Sequence, residues 1–486
     1  MKRVSVLLLA ALLVLTLSLP GSALAQSGSP TWNSIIYYYN PGTTSGTLGV
    51  TFVNTGLGTT PAEIDGVGVA AHAFGLVSVG STGDYKGAAT LSADVPLVAV
   101  YKQFDAGGGA YAPVLYSSFD ATQSSTTGTV YVPSVLHAGY YVSKVGIQNV
   151  ETEAVNLTLN FFDASGSLNP KVTLQKSLAS QGAFIFQIVD DPDNVPGIPS
   201  SFDGSLVIKA TKVNGGGAAR VVAAVEDLQS QGQRSYAYEG SSATSKTFNL
   251  PYANCHYSTN QQSTTFFVQN AGASPATINV FYYTTAGAGI TYYTPAAKIV
   301  PGARMAVSAC DSKVFAKMNG KNGTARITSD QPLVVVGKAT STDGLSTAFT
   351  GQPAGSVHVL LPYIPYKKLS SGERATLSIM NVGAAAAKNV YINYYYQKAD
   401  KSSFAAQKVV IATATATLAK YGKYTATPKV NGAAMDANGD YLGAAEVISD
   451  QPVVVIVRVT QAVTGIPGII TLGEDYTAVP CGTSCQ

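Results

Sequence analysis

The chain is poor in the residues on which most catalytic and charged-ligand sites depend. It has four histidines (His72, His137, His256 and His358), each in a different part of the chain. There is no G-x-S-x-G elbow, no HExxH and no phosphate-binding glycine loop ahead of a helix. A single tryptophan, Trp32, leaves few aromatic platforms for sugars. Charged residues make up only 12% of the chain, and 30 basic residues, Lys2 and Arg3 among them, face 27 acidic ones. So balanced a chain lacks the clustered positive charge that nucleic acid or anionic lipid rewards. Helical periodicity with caps is nearly absent. After the first 25 residues, no apolar run approaches the ~20 residues of a spanning helix. These absences argue against a cofactor, a nucleic-acid partner and a membrane span in the mature chain.

The first residues read as an export signal. Lys2 and Arg3 precede the apolar run Val4 to Leu17, Pro20-Gly21 breaks it, and Ala23-Leu24-Ala25 offers a cleavage site. The mature protein is expected to begin near Gln26 and to be secreted, free or held at the cell surface. In that setting the four cysteines imply two disulfides. Four cysteines allow three connectivities. Position favours Cys255 with Cys310, in one repeat, and Cys481 with Cys485 at the C-terminus.

What the chain has in abundance is repetition. "GDYKGAATLSADVPLVAV" from Gly83 returns as "GDYLGAAEVISDQPVVVI" from Gly439, with weaker echoes from Gly204 and Gly323. The anchoring glycines Gly87, Gly204, Gly323 and Gly443 lie 117, 119 and 120 residues apart. That period suits a β-sandwich and is far too long for a solenoid repeat. A second marker is a strand running into Asn54, Asn149, Asn270 or Asn381. Alternating strands such as "ATINVFYY" and "KNVYINYYY" follow the last three. The phrases "VYVPS", "FNLPY" and "VLLPY" open copies two to four. The resulting division is signal peptide 1–25, a shortened copy 26–124, and copies 125–245, 246–356 and 357–486.

The Asn-x-Gly turns at Asn54-Thr-Gly56, Asn270-Ala-Gly272 and Asn381-Val-Gly383 resemble those of bacterial immunoglobulin-like domains of the cell-adhesion-related group. In copy two Glu151 replaces the glycine. The resemblance implies an all-β chain of four tandem immunoglobulin-like β-sandwich domains in an adhesive or scaffolding context, and it carries over no catalytic residues.

The recurring Asp-x-Pro (Asp94, Asp330, Asp450) reads as a turn in which Asp bonds nearby amides and Pro starts the next core strand. Asp190, Asp191 and Asp193, and Asp436, Asn438 and Asp440, are weak calcium candidates. The second set lacks EF-hand spacing, and solvated turns are the better reading. Tyr282, Tyr283, Tyr394, Tyr395 and Tyr396 are candidates for a binding surface, although β-propensity and cross-strand packing are the favoured explanation. From Asn54 to Gly87 is 33 residues, against 55, 53 and 62 in the other copies, so copy one looks a strand short. Strand exchange between molecules would repair such a gap, with Ile35, Ile36, Tyr37, Tyr38 and Tyr39 as the candidate exchanged strand. The expected function is a non-catalytic extracellular structural or adhesive protein, self-associating or binding other surface proteins. The alternative is a secreted binder of polysaccharide.

Overall fold

The computed structural model describes residues 32–55, 62–79, 87–105, 114–117, 127–139, 141–164, 166–229, 234–367, 372–397, 404–428, 441–462 and 471–481. Apart from one short helix, α1 (Phe315–Met318), the described elements are strands. The first copy contributes β1 (Trp32–Tyr39), β2 (Gly46–Asn54), β3 (Ala62–Val69), β4 (Phe74–Ser78), β5 (Gly87–Ala93), β6 (Val98–Asp105) and β7 (Val114–Ser117). The second has β8 (Thr129–Ala138), β9 (Tyr141–Asn149), β10 (Val155–Asp163), β11 (Val172–Leu178), β12 (Ala183–Gln187), β13 (Phe202–Lys212), β14 (Val221–Gln229) and β15 (Ser235–Glu239). The third has β16 (Ser245–Cys255), β17 (Ser263–Asn270), β18 (Ile278–Thr284), β19 (Gly289–Tyr293), β20 (Arg304–Ser308), β21 (Lys321–Thr340) and β22 (Ser346–Thr350). The fourth has β23 (Ser356–Tyr366), β24 (Arg374–Asn381), β25 (Val390–Gln397), β26 (Phe404–Ala412), β27 (Lys423–Ala426), β28 (Tyr441–Ala462), β29 (Thr471–Thr477) and β30 (Val479–Pro480).

Each copy folds into two antiparallel layers. The outer layers run β3-β2-β5, β11-β10-β13-β8, β19-β18-β21-β16 and β26-β25-β28-β23. The inner layers run β4-β1-β6-β7, β12-β9-β14-β15, β20-β17-β21-β22 and β27-β24-β28-β29. Inward-facing Val, Ile, Leu and Tyr alternate with polar residues along these strands, as in β10 or β18. The Asp-x-Pro signal is a crossing point between layers. In copies three and four it lies inside the unbroken strands β21 and β28, which serve both layers. Its aspartate bonds across the sheet rather than along its own turn. Asp94 accepts from Thr47 N–H, Asp330 from Thr277 N–H, and Asp450 from the Lys388 and Asn389 N–H groups.

The anchoring glycines have a steric cause. A Cβ on Gly204, Gly323 or Gly443 would overlap the carbonyl oxygen of Phe162, Tyr283 or Tyr395 on the neighbouring strand. Each glycine sits where the pairing with the opening strand shifts register, a bulge that needs close backbone approach.

The asparagine marker of copy one is Asn40, not Asn54. The Nδ2 groups of Asn149, Asn270 and Asn381 donate to the carbonyls of Glu153, Ser274 and Ala385, four residues on. They donate equally to Ala179, Ile299 and Leu418. Asn40 makes the same pair of bonds, to Thr44 and Ala70. In the partner loop one residue of each copy takes a left-handed backbone: His72 (φ 54°), Gln181 (55°), Gly302 (81°) and Tyr421 (61°). On this register β2 is the counterpart of β10, β18 and β25, so copy one has the strand that the residue count suggested it lacked. Its deficit lies elsewhere. Among the described residues, copy one has no counterpart of the opening strands β8, β16 and β23.

The copies close into a ring. Each opening strand packs on the inner layer of the next copy: β8 against β17 and β21, β16 against β24 and β28, and β23 against β1 and β6. The last of these joins copy four to copy one. At the centre, β15 lies beside β7 and β22, and β29 lies beside β22 and β7. Tyr37 and Val100 of copy one belong to the same buried cluster as Leu377, Val457 and Tyr476 of copy four.

Candidate functional site

Three of the four seams in this ring share one polar device. Six residues after the proline of Asp-x-Pro stand Lys102, Lys338 and Arg458, each almost fully buried. All three reach into the preceding copy. Lys338 Nζ is 2.5 Å from Asp227 and 2.6 Å from Ser134 Oγ, with the Tyr236 and Tyr238 rings beneath it. Arg458 forks onto Asp475 of its own copy at 2.8 Å, and across the seam it donates to Thr347 Oγ1 at 2.8 Å and covers the Tyr252 ring at 4.2 Å. Lys102 Nζ lies 2.5 Å from Glu373, 2.9 Å from Glu474 and 5.4 Å from the Tyr363 ring centre. Ser134, Tyr252 and Tyr363 each follow the proline of an opening strand, so the contact is the same one repeated.

Burial sets the electrostatics of these seams. Burial pulls the Lys102 ammonium down, but Glu474 and Glu373 outweigh it and hold the group above its ordinary range. Burial also pushes the Glu474 carboxyl up to about 7, with Lys102 opposing. At Lys338 burial prevails over Asp227, and the ammonium lies below the usual lysine range. A second cation stands at the head of β20 and of β27. Arg304 pairs with Asp203, and Lys423, its counterpart, donates to the Asn322 amide oxygen at 2.5 Å and lies over the Tyr252 ring at 4.5 Å, with no carboxylate partner among the described residues. Burial, with Arg458 adding to it, brings Lys423 down to about 7.

The seam between copies one and two is different. The position of Lys338 is taken by Glu226 on β14, which is 3% exposed. One carboxylate oxygen of Glu226 pairs with Lys144 Nζ at 2.9 Å, while Oε1 has no hydrogen-bond partner among the described residues. Opposite lies β5, with Thr90, Ser92 and Ala93 exposed, whereas its counterpart β13 is mostly buried. Gln148 Nε2 bonds Thr90 Oγ1 at 3.1 Å and Thr55 bridges Ala183, so the two copies touch beside this edge. The seam thus combines a β5 edge that pairs with no described strand but β2 and, at the position of Lys338, a buried acid with one of its two oxygens unpaired among the described residues.

The residues singled out from the sequence are placed as follows. Cys255 and Cys310 form a disulfide, with Cα atoms 5.0 Å apart. Cys481 is disulfide-bonded too, and Cys485 lies outside the described residues. Ile35 to Tyr39 form the middle of β1, paired with β4 on one side and β6 on the other. Tyr37 stacks on Tyr363 with ring centres 4.1 Å apart, and Tyr39 donates to Glu446 at 2.7 Å. This strand is an internal part of copy one and of the ring-closing seam, not a free donor. Tyr282 and Tyr394 are core residues, and Tyr395 lies between Tyr39 and Glu446. Tyr283 packs on Tyr421, and Tyr396 is half-buried against the copy-four core. Asp190 accepts from Gly197 N–H and Asp191 from Asp193 N–H, so both carboxylates cap turns. The backbone amide of Asp193 is the donor in that second bond, while Asp436, Asn438 and Asp440 lie outside the described residues. One cluster of metal-ligand type occurs among the described residues, Cys255, His256 and Cys310, and its sulfurs are already joined to each other.

The buried cation was legible in "VPLVAVYK", "QPLVVVGK" and "QPVVVIVR", where a lone charge ends an apolar strand, but only the ring gives it a partner. Comparison with protein-family models and with curated proteins found no match to this chain.

Proposed function

We propose that this is a non-catalytic, exported structural or adhesive protein that joins further copies of itself by strand addition at the β5 edge. The observation that carries the reading is the contrast between copies: β13, β21 and β28 each pair with an opening strand, and β5 pairs with β2 alone among the described residues. Exposed edges of this kind accept extended segments. Glu226 sets the chemistry of the incoming strand, which should bring a hydroxyl or amino donor to the place that Ser134, Tyr252 and Tyr363 hold elsewhere. The signal-like start, the low charge and the immunoglobulin-like character of the sandwiches all suit an extracellular scaffold. The polar groups of the seams are engaged in holding copies together, which suits a structural role.

Asp94 N–H points to Thr47 O on β2, so the neighbouring Ala93 N–H points away, toward the edge that no described strand covers. Ala93→Pro therefore removes a donor from the edge while sparing the β2 ladder. In sedimentation velocity the mature chain, residues 26–486, should associate as its concentration rises. A93P should stay monomeric with an unchanged melting curve. A wild-type chain that is monomeric at every concentration, or an A93P chain that associates equally well, contradicts the proposal. Deletion of residues 26–40 is not a usable test, because it removes β1 from the core.

A further inference from the structure

Between copies three and four, on the opposite side of the ring from the β5 edge, lies a cavity of about 300 Å³. Thr247 and Asn249 of β16 and Arg326 of β21 form its polar wall, and Pro353, Val382 and Tyr421 form its apolar wall. In copy four the counterpart of Arg326 is Glu446, which is fully engaged by Tyr39, Tyr395 and His358. Arg326 makes no ion pair with a described residue, and its guanidinium carbon lies 5.5 Å over the Tyr421 ring. Tyr421 is itself held at φ 61°, where copy three has Gly302.

We propose that this cavity binds a sugar carrying a carboxylate, a uronic acid unit. The guanidinium fork matches a carboxylate with two parallel charge-assisted hydrogen bonds, stronger than those to the hydroxyls of a neutral sugar. Pro353 and Val382 in the lining suit the apolar face of a pyranose ring, while the Tyr421 ring already carries Tyr283, Arg326 and Lys420. The Thr247 hydroxyl and the Asn249 amide flank the space where ring hydroxyls would lie. The volume is at the small end for ligand pockets and fits one sugar unit. This site is independent of strand addition at β5, and either can fail without the other.

The test is calorimetric titration of the mature chain with sodium glucuronate, glucose and sodium acetate. Glucuronate should bind with a Kd on the order of 1 mM, and glucose and acetate at least about tenfold more weakly. R326Q should lose at least about tenfold in glucuronate affinity, and Thr247→Val should lose less, both with unchanged melting temperatures. If R326Q does unfold, the Thr247→Val result decides. No heat from glucuronate overturns the proposal. So do equal binding of acetate, which would mark a site for any anion, and full retention of binding in either variant.

Discussion

Lys423 is the residue through which pH should act on this protein most visibly. It is fully buried in the seam between copies three and four, with an amide oxygen where Arg304 has a carboxylate. Its pKa falls from 10.5 to about 7 on folding. Between those values the unfolded chain binds the extra proton, so stability rises as pH climbs from about 7 to 10.5 and is flat below. Glu474 acts in the opposite sense. Its carboxyl is raised from 4.5 to about 7, so the folded chain binds the proton and stability falls as pH climbs through that window. Thermal melts should therefore show a dip near pH 7. Lys423→Met should raise the melting temperature at pH 6 and remove the climb above pH 7. A variant that melts lower at pH 6, or keeps the same slope, contradicts this account. At this scale the sequence misled on one marker. "TFVNTG" repeats the letters of the asparagine turn, but "YYYNPG" performs its bonding. The marker is defined by where Nδ2 donates, which depends on a loop some thirty residues away.

Strands and their period were readable from the sequence because alternation and sterics are local. The anchoring glycine was readable through its repetition, although its cause is a clash with the neighbouring strand. Gly323→Ala should destabilise the chain by about 3 kcal/mol, since the added methyl meets a neighbouring backbone carbonyl that cannot retreat without breaking the sheet. Gly217→Ala, at a position with open space around it, is the control and should change little. Denaturant unfolding of both variants checks the contrast, and equal losses would remove the steric explanation. Replacing Cys255 and Cys310 by alanine opens a loop of 55 residues and should cost about 4 kcal/mol. The Asp-x-Pro segment was less readable. Aspartate before proline signals a turn, yet in copies three and four the backbone stays extended and only changes layer. The amide that the aspartate caps is 47 to 62 residues away.

The ring itself could not be read from the sequence, because its closing contacts join residues that no local pattern links. Lys102 and Glu373 are 271 residues apart, and Tyr39 and Glu446 are 407 apart. Repetition implied four similar units, equally compatible with a string of beads. The ring is held by charges buried between copies, so removing one partner should weaken closure. Lys102→Met leaves Glu373 and Glu474 facing each other without a cation and should destabilise the protein by about 3–5 kcal/mol. The loss should appear in chemical unfolding as early release of copy one. The most direct measurement of ring closure is small-angle X-ray scattering from the monomeric mature chain. A closed ring of this size should give a radius of gyration of about 23–26 Å, close to that of a single compact body. A value on the order of 40 Å, as expected for four sandwiches end to end, would contradict the contact between copies one and four.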